Sequence, residues 1–205
     1  MRITSVYLSA LSFVFLAACG SGGSETPQAG GAAAGCMTRA YDTIGGPFTL
    51  TTHTGDRVTD ATYRGQPTLI YFGFTYCPDI CPGTLVAVQK AYESLPKGID
   101  PPQTLLISVD PERDTPEALA SYVTLPAFPK NLVGLTGSPE EVQTVADAFI
   151  VQYERIETPN SLAEYTMDHT SLLYLMDADW QLKTFFAEAD LRPQSLANCL
   201  AKHLQ

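Results

Sequence analysis

The sequence predicts one α/β domain on a mixed sheet, and three observations carry that prediction. Short apolar, β-branched runs alternate with segments of helical spacing through the middle of the chain. A hairpin signal precedes them. The chain then closes on a second hairpin and a helix, an order that favours a mixed sheet over a purely parallel one. The 205 residues leave room for one domain and a tail.

The elements follow in order. Phe48-Thr-Leu50 and Arg57-Val-Thr59 flank Thr54-Gly-Asp56, the first hairpin. Thr68 to Phe74 is nearly all apolar, as a strand buried on both faces should be. Leu85, Val88, Tyr92 and Leu95 recur at helical spacing, and Thr104 to Val109 is a second buried strand. Thr115-Pro116-Glu117 opens a helix with proline where no N–H is needed. Leu132 to Leu135 is a short strand. Ser138-Pro-Glu-Glu141 is a capping box for a helix burying Val142, Val145, Ala146 and Phe149. Ile150 to Ile156 is a candidate strand. Leu172 to Met176 and Leu182 to Phe186 bracket Asp177-Ala-Asp179, the second hairpin, with Trp180 at its surface. The last helix starts near Pro193 and buries Leu196, Leu200 and Leu204.

Composition narrows the function. The 45% hydrophobic content excludes wholesale disorder. With 22 Asp+Glu against 12 Lys+Arg, the net charge of −10 argues against a nucleic-acid partner, which needs a basic face. Residues 1–18 read as a signal peptide: Val6 to Ala18 is apolar, yet shorter than the ~20 residues a membrane span requires. The segment ends Leu16-Ala-Ala-Cys19, which matches a bacterial lipobox with Cys19 as the lipid-bearing N-terminus. The alternative is an ordinary signal peptide in which Cys19 is incidental. Residues 19–36 form a tether: Gly20 to Gly35 has no large apolar residue and would span about 20–25 Å as a coil. Residues 37–205 are the domain. This address implies a lipid-anchored protein of the bacterial periplasm, where disulfides persist.

The chemistry concentrates in Tyr76-Cys77-Pro-Asp-Ile-Cys81-Pro82, between the buried strand and a helix. A strand-to-helix turn of this kind is where open α/β sheets place ligands. Pro82 confines that helix to its first turn there, so both sulfurs sit at or before its positive end, which favours thiolate. With three residues between them, the cysteines can close a disulfide or converge on one soft or borderline ion such as Cu(I), Zn(II) or Cu(II). A merely stabilising disulfide would close too small a loop to gain much. Of the histidines, His203 falls in the last helical turn, where a cation suits the helix dipole, and His53 in a polar, solvated hairpin. His169, in Tyr165-Thr-Met-Asp-His-Thr-Ser171, sits on a loop entering an apolar strand. Such a residue is a buried structural histidine or a third ligand.

These residues closely resemble the SCO/SenC family of copper-delivery proteins. GGPFTL at 45–50, YFGFTYCPDICP at 71–82, SVDPERDTPEAL at 108–119, GLTGSPEEV at 134–142 and Tyr165 to Leu175 match in the family's order, over residues 44–200. The resemblance implies a single thioredoxin-like domain with an N-terminal β-hairpin and a C-terminal helix. It implies one copper, as Cu(I) or Cu(II), held by Cys77, Cys81 and His169, with His169 in the loop that faces the cysteines. It implies delivery to the CuA site of cytochrome c oxidase subunit II, reduction of that site's cysteines, or both, with other copper chaperones or thioredoxin-like reductants as further partners. Asp110 matches an acid near the family's site, and Asp168, beside His169, is a second candidate for supporting the ligands. Cys36 and Cys199 lie outside the motif. In an oxidising compartment they form a disulfide joining the chain ends, or else remain two free thiols. Met167 is expected to pack, although its thioether could ligate. Competing readings are a thiol–disulfide oxidoreductase, with Cys77 and Cys81 as its redox pair, and a copper or redox sensor. A peroxiredoxin-type peroxidase lacks its threonine, since Phe74 and Pro78 stand three residues before the two cysteines.

Overall fold

The computed structural model describes residues 41–205, all within one compact unit, Ala32–Gln205. The expected signal peptide, Cys19, the tether and Cys36 lie outside the described residues. Strands β1 (Thr49–Thr52) and β2 (Arg57–Thr59) form the first hairpin, followed by the one-turn α1 (Asp60–Tyr63). Then come β3 (Thr68–Gly73), α2 (Ile80–Glu93), β4 (Gln103–Ser108), α3 (Pro116–Val123), β5 (Leu132–Thr136) and α4 (Pro139–Ala148). Strands β6 (Tyr153–Glu157), β7 (Tyr165–His169), β8 (Leu173–Met176) and β9 (Leu182–Phe186) precede α5 (Pro193–His203).

Seven strands make the mixed sheet in the order β2-β1-β5-β4-β3-β8-β9. Strands β3, β4 and β5 are parallel, and β1 and β8 join antiparallel. All six residues of β3 are buried. Side chains alternate along a strand, so Tyr71 reaches Cys81 of α2 while Phe72 packs on Phe149 just beyond α4. Helices therefore cover both faces. Thr115 caps α3 by accepting from the Ala118 N–H, and Ser138 caps α4 from the Glu141 N–H, as the Pro-containing starts predict.

The sheet order also positions the site. The chain proceeds outward through β3, β4 and β5, then returns to the other side of β3 as β8. Ligands gather at such a reversal, beyond the carboxyl ends of the parallel strands. Tyr71 pairs with Leu173 in the antiparallel β3–β8 register. Residues just before Leu173 therefore extend past Tyr71, over the end of β3 from which the cysteine loop emerges.

Several local expectations are corrected. His169 does not lie in a loop. It ends β7, which pairs with β6 in a separate two-stranded sheet, Tyr153 opposite His169. Trp180 is buried, packs against Phe48 and donates from Nε1 to the Gly46 carbonyl at 3.2 Å. His53 is not simply solvated: its backbone N–H donates to the Gly134 carbonyl and its Nδ1 accepts from the Gly134 N–H, tying β1 to β5. His203 is held below its ordinary range by burial and by Lys202 and Lys183, so it favours the neutral form. Cys199 is disulfide-bonded, with its partner outside the described residues, while Cys77 and Cys81 are free thiols. Among the described residues no helix is long and apolar enough to cross a membrane.

Candidate metal centre

Helix α2 begins at Ile80, so Cys81 is its second residue and Cys77 precedes it. Asp79 occupies the N-cap position but makes no side-chain cap bond. The cap acceptor is the Cys77 sulfur, which receives the Cys81 N–H at 3.2 Å. A sulfur at an unsatisfied helix N-terminus gains most as thiolate. The Cys77 thiol is accordingly pulled down to about 5, first by a hydrogen bond from the Cys81 side chain, with the Cys81 and Asp79 amides and His169 helping against burial.

Cys81 behaves oppositely, contrary to the expectation that the helix end lowers both. Its thiol is pushed well above the usual range, first because it donates to Cys77 and then by burial. It is fully buried, under the Tyr71 hydroxyl at 3.7 Å, which in turn contacts Ser171 at 3.2 Å. Gly73 makes room for it: a Cβ there would lie 3.0 Å from the Cys81 sulfur.

His169 arrives from the other side. Its Nδ1 lies 3.1 Å from the Thr170 carbonyl, which can only accept, so Nδ1 carries the proton. In the neutral ring Nε2 then presents its lone pair to the Cys81 sulfur at 3.7 Å, and in the imidazolium it donates there. The edges of Tyr71 and Phe74 flank the ring. Thus a thiolate-favouring sulfur, a buried thiol and an imidazole meet at the end of β3. Two sulfurs and an imidazole suit copper in either oxidation state. Among the described residues no three His, Cys, Asp or Glu side chains already stand in a geometry that could hold a metal ion, so the two sulfurs and the imidazole would have to draw closer around one. The cluster is an open one, with His169 bordering a surface depression beside Asp168 and Glu154.

The two acidic candidates differ. Asp110 is buried and accepts from Arg113 Nε at 2.5 Å and from the Tyr165 hydroxyl at 2.8 Å. Asp168 is exposed, opposite Glu154 in the β6–β7 ladder. Met167 packs partly buried against the core. Sequence reasoning missed Asp114. It is fully buried and accepts from the Thr75 backbone N–H and Oγ1 and from Ser108 Oγ, fastening the residue two before Cys77. Burial pushes its carboxyl upward while these bonds hold it back. The signal was its place in Asp-Pro-Glu-Arg-Asp, where it shares the turn with Asp110.

A thioredoxin-like domain whose cysteine pair and distant histidine converge at a strand end defines a class of thiol-bearing, metal-competent proteins. The SCO1/SenC family model matches residues 37–205, and the chain belongs to that family. The human mitochondrial protein SCO1 homolog is 43% identical over 164 residues, covering 79% of this chain and 53% of the relative. Copper-bound ScoI of Arabidopsis thaliana aligns with a TM-score of 0.72 at 40% identity, over 78% of this chain and 96% of that one. Copper-bound ScoI of Bradyrhizobium japonicum aligns at 0.68 and 40%, over 79% and 99%. The chain spans about half the length of the mitochondrial relatives it matches.

Proposed function

We propose that this chain is a copper metallochaperone. In this reading Cys77, Cys81 and His169 bind one copper ion as cargo and pass it to the CuA site of cytochrome c oxidase subunit II. The observation that carries it is the approach of His169 Nε2 to within 3.7 Å of the Cys81 sulfur, while the Cys77 thiolate caps the same helix turn. The copper-bound relatives support the choice of metal. Binding would release to solvent the thiol proton that Cys81 donates to Cys77. The open cluster leaves an approach for an incoming ligand. Titration of the reduced full chain should give one tight copper per chain and thiolate-to-copper absorption. Cys77→Ser or Cys81→Ser should abolish that absorption, and His169→Ala should weaken Cu(II) binding. Copper binding unchanged in all three would overturn the site. Mixing the loaded chain with metal-free CuA domain should build CuA absorption in the acceptor, and its absence would overturn delivery.

The second reading, reduction of the CuA cysteines, is favoured by the asymmetry of the pair. Cys77 is partly exposed and thiolate-favouring, whereas Cys81 is buried and protonated, as suits an attacking and a resolving thiol. Turnover of the acceptor's disulfide without copper would select it. The lipobox reading of Cys19 supports lipid anchoring in the bacterial periplasm, and membrane release of Cys19→Ser checks it. Pairing of Cys199 with Cys36 fits the disulfide at Cys199; peptide mapping under non-reducing conditions tests it.

A further inference from the structure

We propose that Arg113 is a positioning residue that sets His169 over the cysteines. The inference rests on the reading that these three residues share one copper. His169 belongs to a two-stranded sheet with no backbone ladder to the main sheet, so beyond its short link to β8 its distance from the sulfurs rests on side-chain contacts. Arg113 touches both arms of the site. Toward β7, its Nη1 donates to the carbonyls of Ala163 at 3.2 Å and Tyr165 at 3.0 Å. Its guanidinium carbon lies 3.5 Å from the Tyr165 ring centre. Toward the cysteine loop, the same carbon stands 4.5 Å from the ring centre of Tyr76, next to Cys77. Nε is anchored on Asp110, which also accepts from the Tyr165 hydroxyl.

Tyr165 and His169 are four residues apart in one strand and so share a face, about 13 Å apart at ~3.3 Å per residue. Fixing Tyr165 therefore fixes the pitch of the face that carries the imidazole. A second guanidinium, Arg155, lies 3.7 Å from the same ring centre. Two such groups fit only on opposite faces, so Tyr165 is clamped between them. Arg113 Nη2 is buried without a hydrogen-bond partner, a cost that an ordinary surface ion pair would shed to water. Lysine offers neither the planar fork nor the stack that this geometry uses.

The test compares the full chain with Arg113→Lys. In the metal-free protein, amide exchange at residues 163–169 should quicken about tenfold while β3 and β4 keep their protection. In the Cu(II) form, nitrogen coupling in the electron paramagnetic resonance spectrum should fade and Cu(II) affinity fall about tenfold or more, with thiolate-to-copper absorption retained. Should Arg113→Lys fail to fold, Tyr165→Phe, which removes only the bond to Asp110, carries the same measurements with a smaller expected change. Hairpin exchange and nitrogen coupling equal to the parent's would overturn the proposal. If the parent chain itself shows no sulfur and nitrogen coordination, the copper reading fails. The exchange measurement on the metal-free chain then decides the role of Arg113 alone, and unchanged exchange refutes it.

Discussion

Cys77 and Cys81 follow β3, whose six residues are all buried and pair with β4, four of them also with β8. His169 ends β7, whose ladder partner β6 has four of its five residues exposed. The cysteine arm is thus carried by the cooperative core, and the histidine arm by side-chain contacts around Tyr165. Opening free energies follow such differences, with a buried central strand near the global value and an exposed hairpin far below it. The contrast separates a fixed sulfur platform from an imidazole held by a short link and by side-chain contacts.

Four measurements would break or sharpen that contrast. Phe72→Ala removes a fully buried ring from the opposite face of the cysteine strand. It should cost about 3–5 kcal/mol in denaturant unfolding; a loss below 1 kcal/mol would deny β3 its central place. Asp114→Ala leaves the Thr75 and Ser108 donors unpaired and should cost about 1–3 kcal/mol. Cys77 alkylation should also change in that variant, while exchange in β7 should not.

Third, alkylation of the reduced, metal-free chain should separate the cysteines. Cys77 reactivity should fall away only as pH drops through about 5. At pH 6 it should react about tenfold faster than an ordinary thiol, once the lower nucleophilicity of an acidic thiol is counted. Cys81 should resist until the fold opens, and equal rates would refute the asymmetry.

The smallest effect concerns α5, which packs on α2 behind the cysteine arm. The folded protein depresses His203, so its contribution is present above the unfolded value near 6.5 and is lost as pH falls below it. Replacing His203 by Gln should therefore flatten the decline of melting temperature as pH falls below about 6.5. An unchanged decline would exclude His203 as its source.

How much could be read beforehand depends on where each residue's partners lie. The buried strands, the Pro-capped helices and both hairpins announce themselves through local periodicity and end signals. The three residues brought together, Cys77, Cys81 and His169, are those marked by motif. Strand β7 was hidden because Tyr165-Thr-Met-Asp-His mixes polarity and pairs with an exposed β6, so neither face carries a clean apolar stripe. Trp180 adopts a left-handed φ of 65° and packs on Phe48 and Gly46 across the chain, contacts that no local window contains. The opposite tuning of the two thiols arises first from the hydrogen bond that Cys81 donates to Cys77 and then from the burial of Cys81, neither of which the spacing of cysteines encodes. Asp114 and Arg113 act through bonds to residues far along the chain, so a short motif shows their presence without their task.

Between the end of β7 and the start of β8 lie only Thr170, Ser171 and Leu172. Because β8 is locked to β3 with Leu173 opposite Tyr71, this short stretch works as a ruler measuring the imidazole from the sulfurs. One inserted residue would lengthen it by up to about 3.3 Å, nearly the present 3.7 Å gap. An insertion in the exposed 159–162 stretch leaves that distance alone, whereas any change in the length of this ruler redraws the site.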